Sequence, residues 1–146
     1  MTNEETGVTI LMAEDDDGHA TLIQDRFRSV GVRNQLVRFR DGQETLDYLA
    51  GAGGDPGKRY LLLLDIRMPR VDGIEVLRRV KGDSRLKNIP IIMLTTTDDP
   101  REISLCYELG CNNYLVKPVE FDKFTEAIKR LGLFLMIVTV DKIKSA

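Results

Sequence analysis

The sequence holds few of the residues that build disulfide frameworks or soft-metal sites. Among its 146 residues are two cysteines, Cys106 and Cys111, and one histidine, His19. Two cysteines are too few for a disulfide scaffold, and their spacing matches no metal-binding motif, so we interpret both as reduced thiols of a cytosolic protein. His19 falls in the first turn of a predicted helix, and we interpret it as a surface residue rather than a phosphorylated or metal-binding one.

The chain also lacks a basic stripe and a long apolar run. Its 21 lysines and arginines against 23 aspartates and glutamates disfavour nucleic-acid binding through phosphate neutralisation. No apolar run is long enough to span a bilayer, and the polar, acidic start of the chain does not resemble a signal peptide. We therefore expect a cytoplasmic protein without nucleic-acid or membrane partners. It is predicted to form a single domain over residues 1–146, with residues 1–7 as a flexible N-terminus and residues 132–146 as a C-terminal extension of the last helix.

Short apolar runs alternate with helical patterns along the chain. This alternation is typical of βαβ units, so we predict an α/β fold with a single five-stranded parallel sheet and helices on both of its faces. Continuous apolar runs indicate strands that are buried on both sides. The predicted strands are Val8–Ala13, Gln35–Phe39, Tyr60–Leu64, Ile89–Leu94 and Asn113–Val116.

Five helical segments separate or follow these strands. The fourth has the clearest start, because Asp99 suits the helix cap, Pro100 the first helical position and Glu102 the third. The first predicted helix follows the acidic cluster and ends at Gly31, the second spans Gln43–Ala50, and the third spans Ile74–Lys81. The fourth runs from Asp99 to Gly110, and the fifth begins near Phe121.

The most informative feature is the apolar run Tyr60–Leu64, which ends abruptly in Asp65. A residue that leaves a buried parallel strand lies at the carboxyl edge of the sheet, where open α/β folds place their sites. The first strand likewise runs into the acidic residues 14–17, and the last runs into Lys117-Pro118. Taken alone, Asp65 could start a turn and the acidic residues could be a solvated helix start. Together they predict carboxylates and an ammonium group at one edge of the sheet.

Converging carboxylates repel one another unless a cation is present. Carboxylate oxygens at an open edge are the ligands that Mg²⁺ prefers, while it keeps several waters. The residues Glu14, Asp15 and Asp65 therefore predict a Mg²⁺ site.

The motifs follow one another in a specific order. Glu14-Asp15 comes after the first strand, Asp65 after the third, Thr95 after the fourth, Tyr114 lies in the fifth, and Lys117-Pro118 follows it. With these motifs the chain resembles the response-regulator receiver domain of two-component signalling over about residues 8–131. This resemblance implies a flavodoxin-like doubly wound fold with strand order 2-1-3-4-5.

Within that family, the chain most resembles the stand-alone regulators that are paired with phytochrome-type histidine kinases. This likeness implies a histidine kinase of the phytochrome type as the partner. The segments that carry this closer likeness are Asp41–Leu49, Leu94–Asp99 and Lys117–Phe121, with the apolar tail behind them.

The family resemblance implies a phosphoacceptor. Asp65 would take a phosphoryl group from the phosphohistidine of a histidine kinase. Asp15 and Asp65 would bind Mg²⁺ directly, Glu14 would bind it through water, and Arg67 would contribute its backbone carbonyl. We expect no enzyme activity beyond catalysis of the protein's own phosphorylation and dephosphorylation.

Four further residues have roles implied by the resemblance. Lys117 and Thr95 would contact the phosphoryl group. Thr95 and Tyr114 would act as a switch that changes the surface of the fourth helix, fifth strand and fifth helix. The bond before Pro118 is expected to be cis, an isomer that proline makes accessible.

The segment Leu133–Val140 is apolar on all sides, whereas a helix on one face of a sheet needs a single apolar stripe. The apolar surface beyond that one stripe is buried either against the rest of the domain or against a partner subunit. We favour a two-fold homodimer with Phe134 and Ile137 in its interface.

Three alternatives stay open. The first is a phosphorelay intermediate that passes its phosphoryl group to a phosphotransfer protein. The second is a Mg²⁺-dependent aspartyl-phosphate phosphatase, but such enzymes carry a second aspartate two residues after the nucleophile, where this chain has Arg67. The third is an interaction module with a vestigial site, which the intact set of acids, Thr95 and Lys117 disfavours.

Overall fold

Five strands and five helices alternate in the part of the chain that the computed structural model describes, residues 7–52 and 58–132. The strands are β1 (Val8–Ala13), β2 (Leu36–Phe39), β3 (Arg59–Leu64), β4 (Ile91–Thr95) and β5 (Asn113–Val116). The helices are α1 (Asp17–Ser29), α2 (Gly42–Ala52), α3 (Gly73–Gly82), α4 (Pro100–Glu108) and α5 (Phe121–Arg130).

The strands form one parallel sheet in the order β2-β1-β3-β4-β5. The predicted doubly wound topology is therefore confirmed. Two pairings set the geometry of the carboxyl edge. Ala13 of β1 pairs with Leu64 of β3, and Thr95 of β4 pairs with Val116 of β5. The residues that follow these strand ends consequently emerge side by side.

The central strands are mostly apolar because helices cover both faces of the sheet. Successive residues of a strand point to opposite faces, so Leu62 and Leu61 enter different core clusters. One cluster contains buried residues of α2, α3 and α4, such as Leu49 and Leu77. The other contains buried residues of α1 and α5, and the tilted rings of Phe27 and Phe124 pack there with their centroids 4.9 Å apart.

Both cysteines lie in the first of these clusters as free thiols. Burial raises the pKa of Cys106 to about 11 and that of Cys111 to about 12. Because a thiol reacts as its thiolate, both side chains are unreactive near neutral pH. Their interpretation as ordinary reduced thiols agrees with this environment.

The predicted start of β4 was wrong by two residues. The strand begins at Ile91 rather than Ile89, because Pro90 has no backbone N–H and the amide of Ile89 donates to the carbonyl of Leu86 in a turn (3.0 Å). The strand extends to Thr95, whose carbonyl accepts from the amide of Lys117 (2.9 Å). The fourth helix begins as predicted, with the Asp99 side chain accepting from the amide of Arg101 (2.9 Å).

The apolar tail Leu133–Val140, with the predicted interface residues Phe134 and Ile137, lies outside the described residues. Residues 1–6 lie outside them as well. Over the described ranges, no helix has both the length and the apolar character needed to cross a membrane.

Gly73 begins α3 directly against the backbone of Asp65. Its amide donates to the carbonyl of Ile66 (2.8 Å), and a Cβ at this position would lie 2.0 Å from the carbonyl oxygen of Asp65. Alanine therefore forces the helix away from the end of β3. We expect Gly73→Ala to lower the free energy of unfolding by about 1–3 kcal/mol, as overpacking does.

Urea denaturation followed by circular dichroism measures this effect, and Gly82→Ala at the other end of α3 is the matched control. A Cβ at Gly82 meets nothing within 4 Å, so the control keeps or slightly raises the stability. Equal stabilities of the two variants would contradict the close approach at Gly73.

Candidate functional site

Two acidic strand ends form the floor of the site. The amide of Asp65 donates to the carbonyl of Ala13 (3.1 Å), which brings Asp65 beside Glu14. One carboxylate oxygen each from Glu14, Asp15 and Asp65 lies within 4.8 Å of the others. Glu14 is 2% exposed, Asp65 is buried and Asp15 is exposed. The structure thus brings together the three acids that the sequence predicted to converge.

Burial and charge oppose each other at Glu14. Desolvation raises the pKa of its carboxyl group, the hydrogen bond from Lys117 lowers it, and the charge of Asp65 raises it again. The net result is a pKa above the ordinary value. The site therefore concentrates negative charge at a cost that a cation would relieve.

Lys117 reaches the acids from the end of β5. Its ammonium group donates to Glu14 Oε1 and lies 3.5 Å from Asp65 Oδ2, and its side chain is only 8% exposed. The peptide bond between Lys117 and Pro118 is cis, as predicted. A solvated surface lysine, the simpler interpretation of this residue, does not agree with such burial.

Thr95 and Tyr114 lie on neighbouring strands, β4 and β5. Thr95 is fully buried, and its hydroxyl group has no hydrogen-bond partner among the described residues. A buried hydroxyl without a partner is unfavourable, which indicates a place for a ligand acceptor atom. The half-buried Tyr114 donates its hydroxyl to the carbonyl of Thr97 (2.8 Å), and desolvation raises its pKa. This contact ties Tyr114 to the loop between β4 and α4.

Arg38 holds the acidic turn, residues 14–17, by hydrogen bonds that the sequence did not predict. Its Nε and Nη2 atoms donate to the carbonyl of Glu14 (3.1 and 2.8 Å), and Nη1 donates to Asp17 Oδ1 (2.7 Å). Its side chain is 16% exposed. The only sequence signal was a charged residue in the apolar run of β2, where Arg38 pairs with Met12. Arg40 also donates to Asp17 Oδ1 (2.7 Å), but among the described residues the side-chain hydrogen bonds to the carbonyl of Glu14 come from Arg38.

Arg67 lies on the loop that follows Asp65. Its exposed side chain pairs with Glu102 of α4 (2.9 Å), and the hydroxyl of Thr97 donates to the same carboxylate (3.3 Å). The role of its backbone carbonyl as a metal ligand stays a prediction.

His19 has more contacts than its interpretation as a plain surface residue implied. Its side chain is 40% exposed, but Nδ1 lies 3.1 Å from the ammonium of Lys117 and 4.0 Å from Glu14 Oε2. Its amide donates to Asp16 Oδ1 (2.9 Å), which caps α1. His19 and Lys117 both line a mainly apolar groove of about 750 Å³ between α1 and the start of α5.

Three similar proteins share this architecture. A response regulator receiver domain from Rhodospirillum rubrum is 46% identical, with a TM-score of 0.73 over 90% of this chain and 97% of that one. The bacteriophytochrome response regulator AtBRR is 38% identical, with a TM-score of 0.77 over 90% and 96% of the two chains. Response regulator Rcp1 from Synechocystis is 34% identical over 74% of this chain and 75% of its own length.

Rcp1 has also been solved in its Mn²⁺-bound form. That structure matches with a TM-score of 0.69 over 90% of the present chain and 98% of the Rcp1 chain. The match to AtBRR confirms the predicted likeness to phytochrome response regulators. The family model of the response regulator receiver domain matches residues 10–129. The acidic strand ends, Thr95 and Lys117 lie at one edge of a five-stranded parallel sheet, in agreement with this match. This chain therefore belongs to the response regulator receiver domain family.

Proposed function

We propose that this protein is a stand-alone, cytoplasmic response regulator that accepts a phosphoryl group on Asp65 in a Mg²⁺-dependent reaction. One observation carries the proposal. Asp65 follows the buried strand β3, and its carboxylate lies close to those of Glu14 and Asp15. The ammonium of Lys117 lies at the same site, with Nζ 3.5 Å from Asp65 Oδ2. The donor would be the phosphohistidine of a histidine kinase. The likeness to AtBRR, a bacteriophytochrome response regulator, supports a phytochrome-type kinase as the partner.

The transfer needs little covalent chemistry from the protein. A carboxylate oxygen of Asp65 attacks the phosphorus atom, and the bond from phosphorus to the donor nitrogen breaks. The electron pair of that bond stays on the donor imidazole, and Asp65 becomes an acyl phosphate. Such a reaction depends mainly on positioning and on compensation of negative charge. Lys117 supplies a positive charge to a phosphoryl oxygen, and the hydroxyl of Thr95, which has no hydrogen-bond partner among the described residues, supplies a hydrogen bond.

The donor set fits Mg²⁺, because the three clustered acids offer hard oxygen ligands. Asp15 and Asp65 would bind the ion directly, Glu14 would bind it through water, and Arg67 would contribute its carbonyl. Bound Mg²⁺ would neutralise charge as the phosphoryl group arrives. The Mn²⁺-bound form of Rcp1 supports a divalent cation here.

The signal would be a shift between two conformations of one surface. Thr95 would move towards the phosphoryl oxygens, and Tyr114 would leave the carbonyl of Thr97 and turn inward. The face of α4, β5 and α5, where Tyr107 and Val116 are exposed, would change as a result. The output is therefore binding to a target, and the protein acts as an enzyme at most on its own phosphoryl group.

We expect Asp65→Asn to abolish acid-labile phosphate incorporation from a kinase or from a small acyl phosphate, because an amide does not form the acyl phosphate. Radiolabelling of purified protein measures this. Asp47→Asn makes the same chemical change at an exposed position of α2 and should label normally. Undiminished labelling of Asp65→Asn would refute the assignment of the acceptor.

Asp15→Ala should lower Mg²⁺ affinity by at least about tenfold and remove phosphorylation, because the site loses a carboxylate ligand. Isothermal titration calorimetry with Mg²⁺ measures the affinity. Asp25→Ala, an exposed acid farther along α1, is the control for the loss of one negative charge. Equal affinities of the two variants would exclude Asp15 as a ligand.

Arg38→Met should weaken Mg²⁺ binding by about tenfold, as loss of an outer-shell partner typically does. The variant removes both hydrogen bonds to the carbonyl of Glu14, so the acidic turn loses its anchor on β2. Arg40→Met removes a contact to the same Asp17 without touching that carbonyl, and we expect a near-normal affinity. If both variants bind Mg²⁺ alike, Arg38 does not organise the site.

We also propose a two-fold homodimer through α4, β5, α5 and the apolar tail. Replacing Phe134 and Ile137 with aspartate should shift the protein to monomer in sedimentation velocity while Asp65 still accepts a phosphoryl group. The apolar character of the tail in the sequence and the exposed Tyr107 support this proposal. A wild-type monomer at high concentration, with and without phosphorylation, would rule the dimer out.

A further inference from the structure

The ammonium group of Lys117 faces three side chains, two carboxylates and one imidazole. It contacts the carboxylates of Glu14 and Asp65, and it lies 3.1 Å from His19 Nδ1. An ammonium group has three N–H donors and no acceptor. His19 Nδ1 must therefore accept, so the neutral imidazole carries its proton on Nε2. Each of the three donors of Lys117 then has a partner.

The position of His19 is set by the start of α1 rather than by its own side chain. The helix cap Asp16 accepts from the amide of His19, which anchors the residue beside the acidic turn. Its ring lies at the mouth of the site, at 40% exposure, whereas Lys117 behind it is 8% exposed. The short histidine side chain thus fixes one end of a long and flexible lysine side chain.

We propose that His19 is a positioning residue that orients Lys117 for the phosphoryl group, an inference that rests on the proposed phosphoacceptor function. A carboxylate compensates the lysine charge, but a neutral imidazole does not. The hydrogen bond to His19 holds the ammonium in place without adding a third negative charge beside it. Nothing in the sequence pattern indicated this contact, because 98 residues separate the partners.

The kinetic test compares two branched substitutions with the same number of side-chain heavy atoms, of which only asparagine offers a hydrogen-bond acceptor. His19→Leu removes the acceptor, whereas His19→Asn keeps an oxygen on the same carbon that carries Nδ1. A small acyl phosphate serves as the donor: Asp65 attacks phosphorus, the bond from phosphorus to the acyl oxygen breaks, and the electron pair leaves with the carboxylate. We expect His19→Leu to slow labelling by about two- to tenfold, the range of one hydrogen bond, and His19→Asn to restore most of the rate.

Leu22→Ala is the control for changes to the exposed face of α1, because Leu22 is exposed and lines the same groove. It should label at the wild-type rate. His19 is not a metal ligand in this account, so Mg²⁺ affinity should be equal in the leucine and asparagine variants. Equal labelling rates of these two variants, or a loss of Mg²⁺ binding in both, would overturn the inference.

A second readout does not depend on phosphorylation. Nitrogen-15 NMR of the neutral imidazole should show the tautomer protonated on Nε2 in the wild type and a mixture of tautomers in Lys117→Met. The same spectrum in both proteins would refute the contact. Failure of wild-type protein to take up phosphate would instead refute the proposed function, and the NMR result would still decide whether His19 holds Lys117.

Discussion

The register between β1 and β3 is the constraint on which the site depends. Because Ala13 pairs with Leu64, the next residue of each strand is an acid, and both acids are buried at the same edge. Because the two strands are paired and helices cover both faces of the sheet, these carboxylates have little freedom to move apart. Their repulsion must be balanced locally, and Lys117 is the cation that the fold itself supplies.

Two further contacts maintain this arrangement. Arg38 holds the turn that carries Glu14, and Gly73 lets α3 start against the backbone of Asp65. The hydroxyl of Thr95 is buried without a hydrogen-bond partner in the described part of the chain. The excess negative charge of the acids favours binding of a cation, and the hydroxyl of Thr95 can donate to an oxyanion. Phosphoryl transfer to Asp65 would use both features.

The sequence predicted what depends on local pattern and on strand ends. Apolar runs located the strands, and because parallel strands share one carboxyl edge, the residues after them predicted the cluster of acids with Lys117. The start of β4 was misplaced because the turn that engages Ile89 is a feature of local hydrogen bonding, which the apolar pattern does not reveal. Pro90 was the available signal.

The contacts that orient the site were missed for a different reason. Arg38 reaches the carbonyl of Glu14 from a neighbouring strand, and His19 reaches Lys117 from the first turn of a helix. Both contacts join residues far apart in the chain and involve geometry that composition and periodicity do not encode. The bond from Tyr114 to the carbonyl of Thr97 is of the same kind.

The central claim is that Asp65 reacts because a cation and Lys117 compensate its charge. The most direct test measures the initial rate of acyl-phosphate labelling across a Mg²⁺ titration and compares it with Mg²⁺ binding measured separately by calorimetry. The account requires the two curves to share one midpoint and labelling to stop when Mg²⁺ is chelated. Labelling at an unchanged rate in the presence of chelator would contradict it.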